Sequence, residues 1–333
     1  MIKSFRLDGF LLGLVLVVIA AILWPDPGAR GGFLHMDFIA TYGVAVVFFL
    51  YGLTLAPERM TKGMWHWKLH LAVQLCTFVL FPVIVLVLQA LLRPIYPPEV
   101  WLGFFFIAAL PSTVSSSVAM TSIARGNVPV AIFNATVSSL LGVFVTPVLM
   151  AWYANTTGEG FPLGPVILKI VLLVLLPIIV GQVARRWLGE WAHRNSRWLK
   201  LADRAIILCI VYGSFSDSVK AGIWGANDLF LVVEIVVGVV VLFFIIYELM
   251  KIPCRLLAFD REDTIACLFC ASKKSLATGV PVATIMFAGN PSLGLIIAPL
   301  MLYHFCQLVI VSFIANRHAA EADALAAAAA ARG

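Results

Sequence analysis

Ser112-Thr113-Val114-Ser115-Ser116-Ser117 and Ser272-Lys273-Lys274-Ser275-Leu276-Ala277-Thr278 are two polar stretches that interrupt otherwise apolar segments of this chain. The first runs on to Gly126-Asn127 and the second to Gly289-Asn290. When Asn127 is aligned with Asn290, Ser112 falls on Ser275 and Ser115 on Thr278, so the two stretches look like copies of one unit. Interrupted apolar segments at matching positions of two halves indicate the binding site of a secondary transporter.

The composition is that of an integral membrane protein. Of the 333 residues, 62% are hydrophobic and 12% are charged, and the mean hydropathy is +1.01. A soluble domain carries about 25% charged residues, so this chain has too much apolar surface for a globule in water. Long, nearly charge-free runs favour a helix bundle over a barrel of strands of about 10 residues each. The net charge of +6 is distributed among loops and does not indicate nucleic acid binding.

The chain divides into ten apolar segments, each close to the roughly 20 residues that a spanning helix needs. The first follows Lys3 and Arg6 but precedes no small-residue cleavage site, so it is interpreted as an uncleaved span rather than a signal peptide. The predicted spans are Gly9–Trp24, Phe38–Leu55, Leu69–Leu92, Val100–Ala124, Val128–Tyr153, Pro165–Ala184, Leu199–Ser218, Leu229–Met250, Thr264–Ala288 and Pro291–Ala315.

Basic residues are concentrated in alternate loops, which predicts the orientation of the chain. Arg30, Arg93 and Lys220 are the basic residues on one side, whereas the loops on the other side are rich in Lys and Arg. Because cytoplasmic loops carry this excess, both termini are predicted to be cytoplasmic, as an even number of spans requires. With five spans in each half, the second half enters from the opposite side, so the two units form an inverted repeat.

The predicted fold is therefore an all-α membrane protein with ten transmembrane helices in two inverted five-helix repeats and with helices 4 and 9 broken. Residues 1–153 form the first repeat and residues 165–315 the second. Residues 316–333 form an alanine-rich cytoplasmic tail, either a short helix or disordered, to which no function is assigned.

The polar breaks carry the chemistry that we expect of a binding site. Irregular backbone at membrane depth persists only where it is buried in protein or lines a wet cavity. Half-helix N-termini at such breaks attract anions, and freed carbonyls can hold a cation. The alternative is tight helix packing through small residues. The candidate binding residues in the two breaks are Thr113, Ser115, Ser116, Ser117, Lys273, Lys274, Ser275 and Thr278.

Lys273 and Lys274 are the most informative residues of the second break. A lysine at the centre of a membrane helix costs about 2.5–3.5 kcal/mol to insert. We expect at least one amine to face the cavity, where it binds an anionic substrate, substitutes for a coupling cation or carries a proton. The alternative is a structural ion pair, for which Asp217 and Glu234 are the candidate partners.

Three further polar residues within predicted spans are weaker candidates for the site: Gln74, Asn134 and His304. Gln74 lies one turn from Thr77, and His304 shares a helix face with Gln307. Each such residue by itself is more often an interhelical hydrogen bond than a ligand. No set of residues with complete metal-ligand spacing is present, so neither a metal site nor a resident cofactor is predicted.

The chain resembles the bile acid:sodium symporter superfamily over roughly residues 8 to 315. The resemblance is carried by Phe48–Leu53, by Ala124-Arg125-Gly126-Asn127 and by Thr146-Pro147. Pro111–Ser116, together with Lys273-Lys274-Ser275-Leu276 and Tyr303-His304, is most similar to the branch typified by the seventh member of solute carrier family ten.

The resemblance implies a panel domain of spans 1, 2, 6 and 7, a core domain of the other spans, and a crossing of helices 4 and 9 at their unwound centres. In sodium-coupled members a Glu and a Gln on span nine help to coordinate sodium. Phe269–Ser272 offers no acid, and Lys273-Lys274 stands near the expected Gln. On span four the usual Ser-Asn pair is replaced by Ser117-Val118. The resemblance thus implies that a fixed ammonium takes the place of a coupling cation, which argues against coupling to two sodium ions.

The predicted function is secondary active transport of a small organic anion by alternating access, in the bacterial inner membrane or an equivalent, with lipid as the surrounding solvent. Na+ and H+ both remain open as coupling ions. One alternative is a cation/proton antiporter, whose fold also has two broken helices but usually a mid-membrane Asp. Another is a non-transporting membrane sensor or regulatory protein. An enzyme is not predicted, because no catalytic set of residues is visible.

Overall fold

A computed structural model of the protein describes residues 9–54, 64–92, 95–157, 163–222 and 228–330, and all regular structure in these ranges is helical, with no strand. The helices are α1 (Gly9–Leu23), α2 (Met36–Thr54), α3 (Trp67–Leu75), α4 (Phe81–Leu92), α5 (Pro98–Ala109), α6 (Ser115–Ile123), α7 (Val128–Thr157), α8 (Leu163–Ile170), α9 (Leu176–Arg194), α10 (Ser196–Lys220), α11 (Asp228–Leu256), α12 (Arg261–Ala271), α13 (Leu276–Met286) and α14 (Leu293–Ala330). Two π-helical turns, Cys76–Leu80 and Val171–Leu175, join α3 to α4 and α8 to α9.

Seven segments of the described chain are long and apolar enough to cross a membrane, judged by length and composition. They coincide with seven of the ten predicted spans. Of the other three, α1 has 15 residues, the fourth span contributes the shorter apolar helix α5 and the nine-residue α6, and α10 carries charged residues near both ends. The seven segments are Met36–Thr54, Trp67–Leu92, Val128–Thr156, Leu168–Arg194, Leu229–Leu256, Arg261–Met286 and Leu293–Ala324.

Two helix pairs, α5–α6 and α12–α13, are interrupted at the two polar stretches. The alignment that places Asn127 on Asn290 also places the first residue of α5, Pro98, on the first residue of α12, Arg261. It likewise places the last residue of α6, Ile123, on the last residue of α13, Met286. The first and last residues of the two helix pairs therefore fall at matching positions of the two sequence copies. The inverted ten-helix arrangement stays a prediction.

Asn127 and Asn290 lie just before the helices that follow the interrupted pairs, α7 and α14. The Asn127 Oδ1 atom accepts from the Val130 backbone N at 3.2 Å, and the Asn290 Oδ1 atom accepts from the Ser292 backbone N at 2.8 Å. Asn127 thus satisfies a backbone donor that the first turn of α7 leaves unpaired, whereas Asn290 satisfies one in the turn just before α14. The side chain of Asn127 therefore caps the next helix, α7, rather than the end of α6.

Residues group by contact into two compact units, each of which takes residues from both halves of the chain. Unit 1 consists of Met1–Leu55, Ala154–Leu229 and Ala277–Ala298. Within it α2 packs closely on α9: a Cβ atom added at Gly52 would collide with the Ile178 backbone, and one added at Gly181 would collide with that of Phe49. Small residues allow two helix backbones to approach in this way.

Unit 2 consists of Ala56–Tyr153, Phe230–Leu276 and Pro299–Gly333 and holds both lysines of the second break. Its core is formed by α5 and α12, nearly all of whose residues are buried. The last helix, α14, continues through the alanine-rich segment to Ala330, so residues 316–330 are helical.

Candidate functional site

The carbonyl groups at the end of α5 define the first part of the site. The last carbonyls of a helix have no partner within it, and the extended Leu110 followed by Pro111 stops α5 here. The Ala109 carbonyl accepts from the Thr146 hydroxyl at 2.7 Å, and the Pro111 carbonyl accepts from the Ser275 backbone N at 3.0 Å. The carbonyls of Ala108 and Leu110 remain available for another donor.

A third carbonyl is released in the π-helical turn between α3 and α4. The Phe81 backbone N donates to the Cys76 carbonyl, one residue further back than in an α-helix. The next residue, Pro82, has no N–H to donate. The Thr77 carbonyl therefore receives no hydrogen bond from Phe81 or Pro82, the two residues that could donate to it within the helix, and it can bond elsewhere.

The Lys274 ammonium occupies the space among these three carbonyls, which we call the carbonyl cage: Thr77, Ala108 and Leu110. Its Nζ atom donates to their oxygens at 2.8, 2.7 and 2.8 Å, respectively. The side chain is fully buried, and Nζ also lies 4.1 Å from the centroid of the Phe81 ring. Three carbonyl acceptors require three N–H donors, which only the charged –NH3+ form supplies.

The electrostatics of the cage favour a cation. The C-terminal end of α5 carries the negative end of the helix dipole, and the ring face of Phe81 attracts positive charge. Backbone carbonyls freed at helix interruptions are the groups that hold monovalent cations in membrane transporters. The cage therefore has the chemistry of a small cation site, filled by a covalently attached ammonium.

The backbone of Lys274 is held as firmly as its side chain. The Gln307 Oε1 atom accepts from the Lys274 backbone N at 2.9 Å, and Gln307 Nε2 donates to the Lys274 carbonyl at 2.9 Å. Gln307 Nε2 also lies 2.8 Å from Nδ1 of His304, which must act as the acceptor because the amide nitrogen only donates. One amide side chain thus satisfies both backbone groups of an interrupted segment.

Hydrogen bonds join the two interruptions to each other. The Ser112 hydroxyl donates to the Cys270 carbonyl at 2.6 Å, and the Ser117 hydroxyl donates to the Phe269 carbonyl at 3.3 Å. At the other end of the second break, the Tyr303 hydroxyl donates to the Ser272 carbonyl at 2.7 Å. The hydroxyl residues of the breaks therefore supply the donors that unwound backbone needs at membrane depth.

Lys273 lies beside three hydroxyl residues of α6 and the break before it, Thr113, Ser116 and Ser117, which we call the hydroxyl cluster. The Lys273 Nζ atom donates to the Ser116 carbonyl at 2.8 Å and lies 5.8 Å from the centroid of the Phe269 ring. The Thr113 hydroxyl lies 2.7 Å from that of Ser116 and 2.9 Å from that of Ser117. The Lys273 side chain is fully buried.

Carboxylates do not neutralise either lysine within the described ranges. Asp217, one of the two candidate partners, instead pairs with Arg30, with 3.2 Å between Arg30 Nε and the carboxylate. Glu234 accepts the Tyr96 hydroxyl through its backbone carbonyl at 2.8 Å. The side-chain nitrogens of both lysines are therefore held by backbone oxygens and aromatic rings rather than by carboxylates.

The structure brings most of the predicted site residues into unit 2. Thr113, Ser116 and Ser117 adjoin Lys273. His304 bonds to Gln307, which in turn bonds to the backbone of Lys274. Ser275 takes part through its backbone N, and Ser115 is exposed at the start of α6. Thr278 belongs to unit 1.

Gln74 and Asn134 form a separate pair in unit 2. The Gln74 Nε2 atom donates to the Asn134 carbonyl at 3.2 Å and lies 3.5 Å from its Oδ1 atom. The Gln74 Oε1 atom is buried and has no hydrogen-bond partner among the described residues. Gln74 therefore keeps an acceptor that a solute or water could use.

Several groups of the site were not predicted from the sequence. The cage carbonyls of Ala108 and Leu110 belong to residues without polar side chains, and only Pro82 and Pro111 hint at freed backbone. A second polar cluster was also missed: the Asp263 carboxylate accepts from Asn127 Nδ2 at 2.7 Å and lies 3.5 Å from His66 Nε2. This cluster links the end of α6 to the start of α12.

An all-helical membrane protein whose two interrupted helices bond to each other around buried ammonium groups has the architecture of a membrane transporter. The family model described as "SBF-like CPA transporter family" matches residues 8–320. The chain belongs to this family.

Three similar proteins each align with nearly the whole chain. It is 42% identical to "Uncharacterized protein PA2026" of Pseudomonas aeruginosa over 96% of each chain. It is 40% identical to "Putative symporter YfeH" of Escherichia coli K12 over 98% of this chain and 97% of that one. It is 34% identical to "Sodium/bile acid cotransporter 7" of Danio rerio over 94% of each chain. The matched family is a transporter family, and the Escherichia coli and Danio rerio relatives are named as a symporter and a cotransporter, not as enzymes. The predicted membership of the bile acid:sodium symporter superfamily is confirmed.

Proposed function

We propose that the protein is a secondary transporter of a small organic anion that works by alternating access. The observation that carries the proposal is the pair of fully buried lysines at the interrupted helices, without a carboxylate partner in the described ranges. A buried charge is costly unless it is paired. An anionic solute would supply the missing negative charge.

Lys273 is the proposed ligand of the anion. Its ammonium carries three N–H donors, and the contacts of the described residues use one of them, at the Ser116 carbonyl. The adjoining hydroxyl cluster adds O–H groups that can rotate to donate to a bound solute. A carboxylate or comparable oxyanion is the solute class that an ammonium and hydroxyl groups recognise best. Because Lys273 is buried in this arrangement, binding requires a rearrangement that exposes it, as alternating access provides.

Lys274 is proposed to act as a fixed internal cation. All three of its N–H groups are used by the carbonyl cage, so none is left for a solute. A coupling cation at this place would need the oxygens that Lys274 already occupies. We therefore propose that transport does not require sodium and that any coupling ion is a proton.

The proposed location is a bacterial inner membrane, with both termini in the cytoplasm. This orientation rests on the excess of Lys and Arg in alternate loops. The positive charge at the breaks does not depend on the orientation, because both lysines lie within a span.

Ligand binding can be tested before the substrate is known. Purified protein is heated with a panel of small mono- and dicarboxylates, once in sodium chloride and once in choline chloride, and the unfolding temperature is recorded. We expect at least one carboxylate to raise the unfolding temperature equally in both salts, and Lys273→Ala to lose this response. A response that appears only with sodium would contradict the fixed-cation proposal.

Transport of the stabilising carboxylate is then measured in proteoliposomes. Uptake of the labelled compound in the absence of sodium is the expected result. Binding without flux would instead favour the sensor alternative. If no carboxylate binds or is taken up and an added cation instead drives protons out of the proteoliposomes, the antiporter alternative is favoured.

A further inference from the structure

A groove lies on the surface of unit 2, between the segment that runs from α3 through the π-helical turn into α4 and the C-terminal part of α11. Its volume is about 540 Å3. Trp67 and Lys68 line it at one end and Val83 at the other, while Met250, Pro253 and Leu257 form the opposite wall. All of these residues belong to unit 2.

The wall of the groove is apolar and exposed. Leu71, Leu75, Val79 and Val83 follow one another at four-residue spacing along the same face, and each is about half exposed. The small side chain of Ala72 lies between them and leaves the surface concave. An exposed apolar concavity of this kind on a membrane protein is a surface for hydrocarbon.

One end of the groove is polar and positively charged. Lys68 is exposed, and its Nζ atom lies 5.8 Å from the centroid of the Trp67 ring, with no carboxylate partner in the described part of the chain. Tryptophan and lysine side chains concentrate at the boundary between hydrocarbon and headgroups. The start of α3 therefore marks the depth of the lipid headgroups.

The groove is long enough to cross the hydrocarbon of one leaflet. From Trp67 to Val83 a helix rises about 24 Å at 1.5 Å per residue. One leaflet contributes about half of the roughly 30 Å hydrocarbon core. A single extended acyl chain can thus follow the groove from the headgroup level through its leaflet.

We propose that this groove binds one acyl chain of a phospholipid whose anionic headgroup pairs with Lys68. A second copy of the protein is a poorer occupant. Two copies related by a two-fold axis along the membrane normal would place both Lys68 side chains at the same depth in one apolar interface. Like charges repel, whereas an anionic phosphate complements the lysine.

A lipid in this position would touch the π-helical turn. Cys76 and Val79 belong both to the groove wall and to the turn that releases the Thr77 carbonyl. The bound chain would therefore support the geometry that holds Lys274. The inference itself concerns lipid binding and does not depend on which solute is carried.

Native mass spectrometry of the purified protein tests the proposal. The detergent-solubilised protein is titrated with phosphatidylglycerol and with phosphatidylcholine of identical chains, and the bound lipid is counted. We expect one phosphatidylglycerol to be retained about fivefold more tightly than phosphatidylcholine, the preference that one lysine near a membrane surface confers. Lys68→Gln should remove this preference, whereas Lys200→Gln, another exposed lysine outside the groove, should preserve it.

Filling the groove provides the second arm of the test. Val79→Trp should abolish retention of the lipid, and Val87→Trp, on the same face of α4 but outside the groove, should not. If Val79→Trp is not monodisperse on gel filtration, Leu71→Trp takes its place. Equal retention by both tryptophan variants, or binding insensitive to Lys68, would overturn the proposal. So would a dimer that the groove-filling variant dissociates, since a second copy would then be the occupant.

Discussion

The Nζ atom of Lys274 donates to the carbonyl of Thr77 at 2.8 Å, across 197 positions of sequence. The bond exists because a π-helical turn and Pro82 together deprive that carbonyl of its helical donor. The π-helical turn between α3 and α4 thus frees the Thr77 carbonyl to accept from Lys274, which lies between α12 and α13. The same lysine also bonds to the end of α5, so it joins three elements of unit 2.

Replacing Lys274 by alanine should turn the carbonyl cage into a sodium-responsive site. Wild-type protein should unfold at the same temperature in sodium chloride and in choline chloride. Lys274→Ala should be less stable in choline, by about 1–3 kcal/mol for each buried acceptor left unpaired, and should recover stability in sodium. The measurement is thermal unfolding in detergent against sodium concentration. Lys273→Ala is the matched control, and an identical response of both variants would refute the cage as a cation site.

Replacing Lys273 by alanine should abolish transport of the carboxylate identified by the thermal screen while leaving the fold intact. The lysine is the proposed anion ligand, and alanine removes both its charge and its donors. Lys273→Arg should retain part of the activity, because the charge and several donors are kept. Uptake into proteoliposomes and the unfolding temperature without ligand are measured together. Undiminished uptake by Lys273→Ala would remove this residue from the mechanism.

Gln307→Leu should destabilise the protein strongly. It leaves both the backbone N and the carbonyl of Lys274 without partners, at a cost of about 1–3 kcal/mol for each buried group. Gln89→Leu is the comparison, because Gln89 accepts a single bond from the Tyr153 hydroxyl at 3.0 Å. Denaturant or thermal unfolding of the two variants should show the larger loss for Gln307→Leu. Equal losses of stability in the two variants would show that the two bonds from Gln307 to the Lys274 backbone do not stabilise the interruption between α12 and α13.

Asp263→Ala should loosen the junction between α6 and α12. The buried carboxylate accepts from Asn127 Nδ2 at 2.7 Å, and a hydrogen bond to a charged group contributes about 1.5–3 kcal/mol. Asp323→Ala removes an exposed partner of Arg125, and exposed ion pairs contribute about 0–1 kcal/mol. Amide hydrogen exchange at the ends of α6 and α12 should increase for the first variant only. Unchanged exchange in Asp263→Ala would contradict the assigned role.

The interruptions of the helices were predicted from the sequence because their cause is local. Runs of serine and threonine, a pair of lysines and the nearby prolines stand out against an apolar background in any single segment. Hydropathy likewise predicted seven spans that the described helices match. The hydroxyl cluster was predicted for the same reason, since its members lie within five consecutive residues.

The partners of the lysines could not be predicted in this way. Asp217 and Glu234 were the candidate partners of the alternative ion pair because side-chain charge is visible in a sequence. Lys274 is held instead by the carbonyls of Thr77, Ala108 and Leu110. Every residue has a carbonyl, so the sequence does not mark which ones are free. That depends on where helices end and which donors their neighbours supply.

By itself, the amino-acid sequence determined that this chain lies in a membrane, that two of its helices are interrupted and that two lysines fall within one interruption. These properties follow from the local cost of placing polar groups in hydrocarbon. Only the tertiary structure decided that one lysine is enclosed by backbone oxygens while the other adjoins hydroxyl groups. The reason is that unpaired carbonyls arise from the packing of helices far apart in sequence.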